Sequence, residues 1–365
     1  MPLRERLRAI PARWILLGLA GLLIVVLLFG VALGPVHIPV ATVFSILLHH
    51  LPGLEGLTPV TWTSAEETIV WTLRLPRVLL AAAVGGGLAA AGVSMQGLFK
   101  NPLADPYIVG ISSGATLGAT IVLVAGWNVT ELAIGSFVLE LPELGYGLMS
   151  LAAFLAALGI VGLVYRLART GTGLPLTTLL LAGLAMSALA SALTALVIYL
   201  SPQQRASIFL WLMGGIQSSW TAVGFVVPAV AIGALVLILW ARDLDALSLG
   251  DEQALFLGVE VERRKRHFLL VSTLVTAVGA SFVGIIGFVG LIIPHMLRLV
   301  LGPLHRLLLP ASVLGGASFL VLCDLIARTV LSGVEIPVGI ITALAGTPFF
   351  LFLLVRSKAF GGEFH

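Results

Sequence analysis

Apolar residues fill this chain in long blocks with no polar face, separated by short polar stretches. A helix needs about 20 residues to cross a hydrocarbon core of roughly 30 Å. Blocks such as residues 14–33 and 223–240 meet that length and are apolar on every side, whereas barrel strands would alternate over about 10 residues. The pattern predicts ten spanning helices: 14–33, 75–98, 107–125, 146–165 and 174–200, then 223–240, 268–286, a short 287–301, 309–326 and 337–355. Three connections are too long for plain hairpins, at 34–72, 201–221 and 242–267.

Composition agrees. Of 365 residues, 59% are hydrophobic and 10% charged, and the mean hydropathy is +1.12. The chain therefore reads as one all-α polytopic membrane unit, residues 1–365, rather than a soluble fold. The basic start at Arg4, Arg6, Arg8 and Arg13 resembles a signal peptide, but the apolar block behind it has the length of a retained span.

Charge placement orients the chain. With the N-terminus inside, sixteen of the 20 lysines and arginines fall in inner loops and both termini are cytoplasmic. Segment 1–13 is then a cytoplasmic N-terminus, and Arg74, Arg77, Arg205 and Arg328 are left outside.

Several chemistries find no footing. The lone Cys323 cannot form an intrachain disulfide, and no Cys or His grouping has metal-ligand spacing, so no bound metal is expected. None of the three lysines follows a glycine, so a phosphate-binding P-loop is missing and nucleotide chemistry would need another polypeptide. No nucleophile constellation is visible, and nothing suggests nucleic acid as a partner. An ion-coupled carrier would keep ionisable groups at mid-membrane. Asp324 is the main candidate, and Arg328 four residues on makes an ion pair the simpler account.

The inner connection 242–267 is the most informative. An amphipathic stretch, 249–259, lies between charged collars at 242–245 and 263–266. It can dock a soluble subunit or lie at the headgroups. Glycines concentrate within spans, as at 85–87, 114–118 and 315–316, which points to close helix packing or to broken helices lining a pathway. Interruptions at 101–106 and 293–295 hint at an inverted repeat.

From Arg74 onward a family resemblance emerges. Arg74-Leu75-Pro76-Arg77, Met95-Gln96-Gly97-Leu98-Phe99-Lys100-Asn101-Pro102-Leu103-Ala104-Asp105-Pro106, Gly287-Phe288-Val289-Gly290-Leu291-Ile292-Ile293-Pro294-His295, Asp324-Leu325-Ile326-Ala327-Arg328 and Glu335-Ile336-Pro337-Val338-Gly339 together resemble the FecCD/BtuC family of ABC importer permeases. That resemblance implies a BtuC-like type II permease of ten helices with an inverted internal repeat, in a bacterial or archaeal cytoplasmic (inner) membrane. It implies a homodimer served by two ATPase subunits, which carry ATP and Mg. A soluble binding protein would deliver a metal chelate, a ferric siderophore first, haem or cobalamin next. Family likeness makes Arg74, Arg77 and Arg328 docking residues for that protein, although arginines at a span end also anchor it by snorkelling. It makes the 242–267 loop the ATPase-coupling element, with Gly250, Ala254, Leu257, Gly258 and Arg263 involved. It places Thr177 and Thr178 at a cytoplasmic gate and Met186, Ser187 and Ser191 along the pathway. The alternative reading is an ion-coupled secondary transporter of a small organic solute. The outer stretches 51–71 and 127–144 carry no readable motif.

Overall fold

A computed structural model describes residues 11–53, 59–126, 131–134, 137–140, 142–170, 173–217, 219–331 and 333–359. Arg4, Arg6 and Arg8 lie outside the described residues, as do parts of the 51–71 and 127–144 stretches.

Helix α1 is Ala12–Ala32 and α2 is Val40–His49. A short α3, Ser64–Glu67, runs through a π-helical stretch, Thr68–Arg74, into α4, Leu75–Leu98. Then come α5 (Ile111–Ala125), a small antiparallel hairpin of β1 (Glu131–Ile134) and β2 (Phe137–Glu140), α6 (Pro142–Ala168) and α7 (Leu176–Leu200). The second half holds α8 (Arg205–Leu212), α9 (Trp220–Leu239), α10 (Ala241–Leu249), α11 (Asp251–Phe256), α12 (Val261–Val283), α13 (Val289–Leu301), α14 (His305–Thr329) and α15 (Val338–Ala359).

Among the described residues, seven helices are long and apolar enough to cross a membrane, the first of them Ala12–Ala32 and the longest the continuous Ser64–Leu98. The remaining three predicted spans coincide with the shorter apolar helices α5, α13 and α15. The hydropathy pattern thus located all seven long apolar helices and three of the shorter ones. It missed α2, whose ten residues are too few to cross.

Helix α4 is the axis of the bundle, with α9, α12, α13 and α14 packed around it. Glycine makes this possible. A Cβ on Gly85 would stand 2.3 Å from the Gly316 carbonyl oxygen, and one on Gly92 would stand 1.9 Å from that of Gly290. Backbones approach this closely only where side chains are absent, so the glycine-rich stretches serve packing at these crossings.

Two short apolar helices, α5 and α13, each follow a stretch that is not α-helical. Residues 99–110 lead into α5 and residues 284–288 lead into α13, and the two breaks meet where a Cβ on Gly290 would lie 2.7 Å from Pro106. The expected second break at 293–295 is corrected by the structure. Pro294 lies inside α13, and the chain is non-helical earlier, at 284–288, between Gly284 (φ +71°) and Phe288 (φ +71°). Proline removes the amide that would bond the carbonyl four residues back. Here that carbonyl, Gly290 O, accepts instead from the buried Gln96 Nε2 at 3.3 Å, so the helix survives its proline.

Two inner-loop expectations also change. The amphipathic stretch 249–259 holds only the six-residue α11, and the first charged collar, 242–245, lies in the separate helix α10, the two meeting at Gly250 (φ +135°). The second charged collar, 263–266, is not loop but the first turns of α12, which starts well before the predicted 268. The Arg264 amide donates to Glu260 O at 2.9 Å, continuing the ladder through the charges.

Candidate functional sites at the two ends of the bundle

At one end, the start of α4 meets the end of α14. The π-helical Thr68–Arg74 inserts a wide turn just before Pro76, a residue suited to a helix start. Arg74 is thereby directed at α1, and Arg77, three residues on, at α14. The last carbonyls of a helix have no donors of their own. Arg74 Nη1 donates to Val31 O at 3.2 Å and Ala32 O at 2.8 Å, and its Nη2 to Val36 O. Arg328 Nη2 donates to Gly30 O at 3.0 Å. Two guanidiniums from distant parts of the sequence therefore cap the C-terminus of α1, where a positive charge is also favoured by the helix dipole.

Asp324 completes the cluster. Arg77 Nε donates to its Oδ1 at 2.8 Å, and Arg328 Nε lies 2.9 Å from its Oδ2. The Asp324 side chain is 0% exposed, and the second nitrogen of Arg77, Nη1, donates at 2.7 Å to Glu335, which is 53% exposed. The expected Asp324–Arg328 pair is present, extended by Arg77 to a triad. The arginines expected to face outward are turned inward: Arg74 is 4% and Arg328 3% exposed. Burying a guanidinium without acceptors is costly, so these side chains went to the nearest unsatisfied carbonyls and carboxylates. Glu335 is the member that sequence reasoning left unassigned, although it sits in a quoted motif.

The opposite end is built from α10, α11 and the start of α12. Lys265 Nζ contacts Asp251 Oδ2 at 2.5 Å and Glu262 Oε1 at 3.3 Å, while Lys100 Nζ at the end of α4 lies 3.6 Å from Asp251. Glu262 Oε2 accepts from the Leu174 amide at 2.7 Å, just ahead of α7. His305, at the start of α14, donates through its backbone amide to Asp245 Oδ1 at 2.7 Å and places Nδ1 at the same distance. The two-helix loop is thus latched to α12, to α14 and to Lys100 just past α4, and α12 is in turn tied to the segment ahead of α7. Burial alone would raise the Asp251 and Asp245 carboxyls, but the hydrogen bonds from Lys265 and His305 outweigh it and hold both below the usual carboxylate range.

Of the residues expected at this loop, Gly250 provides the hinge, and Gly258 (φ +82°) provides the exit turn with open space beside it. Leu257 is exposed and Arg263 is exposed beside Glu260. Ala254 departs from expectation: it is fully buried within the chain, on the inward face of α11, and presents nothing to a partner. The residue that sequence reasoning overlooked is Phe256, 92% exposed between exposed Leu255 and Leu257. Three consecutive apolar residues inside a charged loop were the available signal.

Along α7, Thr177, Thr178 and Ser191 lie on an exposed face together with Leu181, Leu184 and Leu196. Met186 and Ser187 are half-buried and turn toward the chain's own interior; a Cβ on Gly110 would lie 3.4 Å from Ser187 Oγ. The structure does not gather the five expected pathway residues on one face.

Comparison with known proteins covers most of the chain. The sequence model of the FecCD transport family matches residues 22–356. The cobalamin import system permease BtuC of Halobacterium salinarum is 41% identical over 339 residues, covering 88% of this chain and 86% of its own. The hemin transport system permease HmuU of Yersinia pestis is 39% identical over 307 residues, 81% of this chain and 87% of its own. A solved ABC transporter assigned to the metal-chelate type, in an inward-facing conformation, superposes with a TM-score of 0.77 at 30% identity, covering 95% of this chain and all of that one.

Proposed function

This chain belongs to the FecCD transport family, and we propose that it is the membrane-spanning permease subunit of an ATP-driven importer of a metal chelate. The observation that carries the reading is the apolar tip of α11, with Phe256 almost fully exposed on a loop latched to α12, α14 and the end of α4. An apolar knob on a charged, rigid base suits docking into a cleft of a soluble subunit. Movement of that subunit would pass to α4, α7, α12 and α14 through the latch. ATP and Mg belong to two such ATPase subunits, since this chain has no P-loop.

The Phe256 end then faces the cytoplasm, with both termini, and the Arg77 end faces outward in a bacterial or archaeal cytoplasmic membrane. A soluble binding protein would dock at the outer end, against the Arg77 and Glu335 edge, with Arg74 and Arg328 holding that edge in place. A second copy of the chain would cover the exposed face of α7, with Thr177 and Thr178 near an inner gate and Ser191 along the pathway. Met186 and Ser187 would support that wall from behind. The rival ion-coupled carrier is less well served. Its main candidate, Asp324, is fully buried and held between Arg77 and Arg328, where protonation would leave the buried Arg328 without its carboxylate.

The substrate reading favours a ferric siderophore, with haem and cobalamin next, and uptake by the complete complex tests it. Proteoliposomes holding the permease, its ATPase and its binding protein should accumulate one of these chelates. Failure to take up any of the three, with ATP hydrolysis intact, would contradict the metal-chelate reading.

A further inference from the structure

We propose that Glu335 is a displaceable in-chain carboxylate that covers the docking edge of Arg77 until an acidic partner residue replaces it. The inference rests on the reading that an acidic partner docks at this end. Arg77 has two occupied edges of different character. Its Nε side is held by Asp324, which is fully buried and also paired with Arg328. Its Nη1 side is held by Glu335, at 2.7 Å, on a carboxylate more than half exposed. The buried contact is part of the packing and costly to break, whereas the exposed one is in competition with water and screened by salt.

Charge points the same way. The cluster holds three guanidiniums, Arg74 on backbone carbonyls and Arg77 and Arg328 on carboxylates, against two carboxylates, Asp324 and Glu335. Withdrawing Glu335 raises the cluster's excess positive charge from one to two and frees the Arg77 nitrogen nearest the surface. A carboxylate from outside can take the vacated position with the same geometry, and the charge it meets favours it. Glu335 is also placed to withdraw. It lies in the non-helical connection between α14 and α15, after Gly333 (φ +81°), and that connection is tied to α14 by the Ile336 amide donating to Ala327 O at 3.0 Å. Moving the Glu335 side chain therefore leaves the backbone anchor intact.

The test compares the intact permease in nanodiscs with its Glu335→Gln variant by two measurements. The first is modification of Arg77 by phenylglyoxal, mapped by mass spectrometry, with exposed Arg205 and buried Arg74 as internal references. The second is binding of a fluorescent hexaglutamate peptide at low salt. The proposal expects Arg77 labelling to rise several-fold in the variant while Arg74 stays protected, and peptide affinity to rise by about tenfold, an effect that salt erases. Unchanged Arg77 labelling would overturn the proposal, since Glu335 would then cover nothing. Increased labelling with no gain in peptide binding would instead overturn the reading that acidic partners dock at this end.

Discussion

The two ends of the bundle solve opposite problems. At the Arg77 end, charges are turned in: Arg74 and Arg328 cap a helix, Arg77 and Arg328 hold Asp324, and Glu335 is the exposed member. At the Phe256 end, the charges form an outer frame and apolar residues are turned out, at Leu255, Phe256 and Leu257. Buried charge fixes helices relative to one another at a cost in desolvation. Exposed apolar surface carries no such internal role and is explained by a partner. The first end therefore reads as a structural clasp with a narrow docking edge, and the second as a docking surface with a structural base.

The largest expected effect breaks the first end. Asp324→Asn leaves buried Arg328 without its carboxylate and Arg77 with Glu335 alone, and should destabilise the protein by about 3–5 kcal/mol, measured by denaturant unfolding in detergent. Replacing Asp324, Arg77 and Arg328 together by leucine should cost far less; an equal loss would show that charge burial is not what matters there.

The second end responds differently. Phe256→Asp should leave permease stability within about 0.5 kcal/mol and weaken ATPase association by about 2 kcal/mol or more. Pull-down and calorimetry on the same sample separate the two quantities. A loss of stability without a loss of association would reverse the contrast drawn between the ends.

Between them, the packing glycines supply a control. Gly92→Val forces a Cβ into the Gly290 carbonyl and should destabilise by about 1–3 kcal/mol while affecting both ends alike. An effect confined to one end, seen by hydrogen exchange, would show that α4 does not join them rigidly.

The smallest effect is that of acid. Asp251 and Asp245 titrate below their unfolded values, so the stability they contribute is complete above about pH 4 and is lost as the pH falls through their folded values. Amide protection factors in α10 and α11, corrected for the intrinsic pH dependence of exchange, should fall over that acidic range and hold between about pH 6 and 8. A loss of protection near neutrality would point to groups other than these carboxylates.

Much of this was legible in the sequence because membrane solvation is a blunt constraint. Each spanning helix declared itself by hydropathy, and α2 escaped because ten residues fall short of a span. Polar satisfaction is a different kind of information. That Arg74 and Arg328 would meet at the carbonyls of Gly30, Val31 and Ala32 depends on two helix packings that no local pattern encodes. The same holds for Gln96, which replaces the donor lost at Pro294 across almost 200 residues. Proline chemistry suggested a break at 293–295, and a tertiary hydrogen bond removed the reason for it. Phe256 could have been found, since an aromatic at the centre of a charged loop is conspicuous once its helix is cut at six residues.

The central claim, that the Phe256 end couples this chain to an ATPase, is tested most directly by transport in proteoliposomes. Permease, ATPase and binding protein together should accumulate chelate only when ATP is hydrolysed, and the Phe256→Asp permease should abolish uptake in the same vesicles. Accumulation by the permease alone under a proton or sodium gradient would contradict the account.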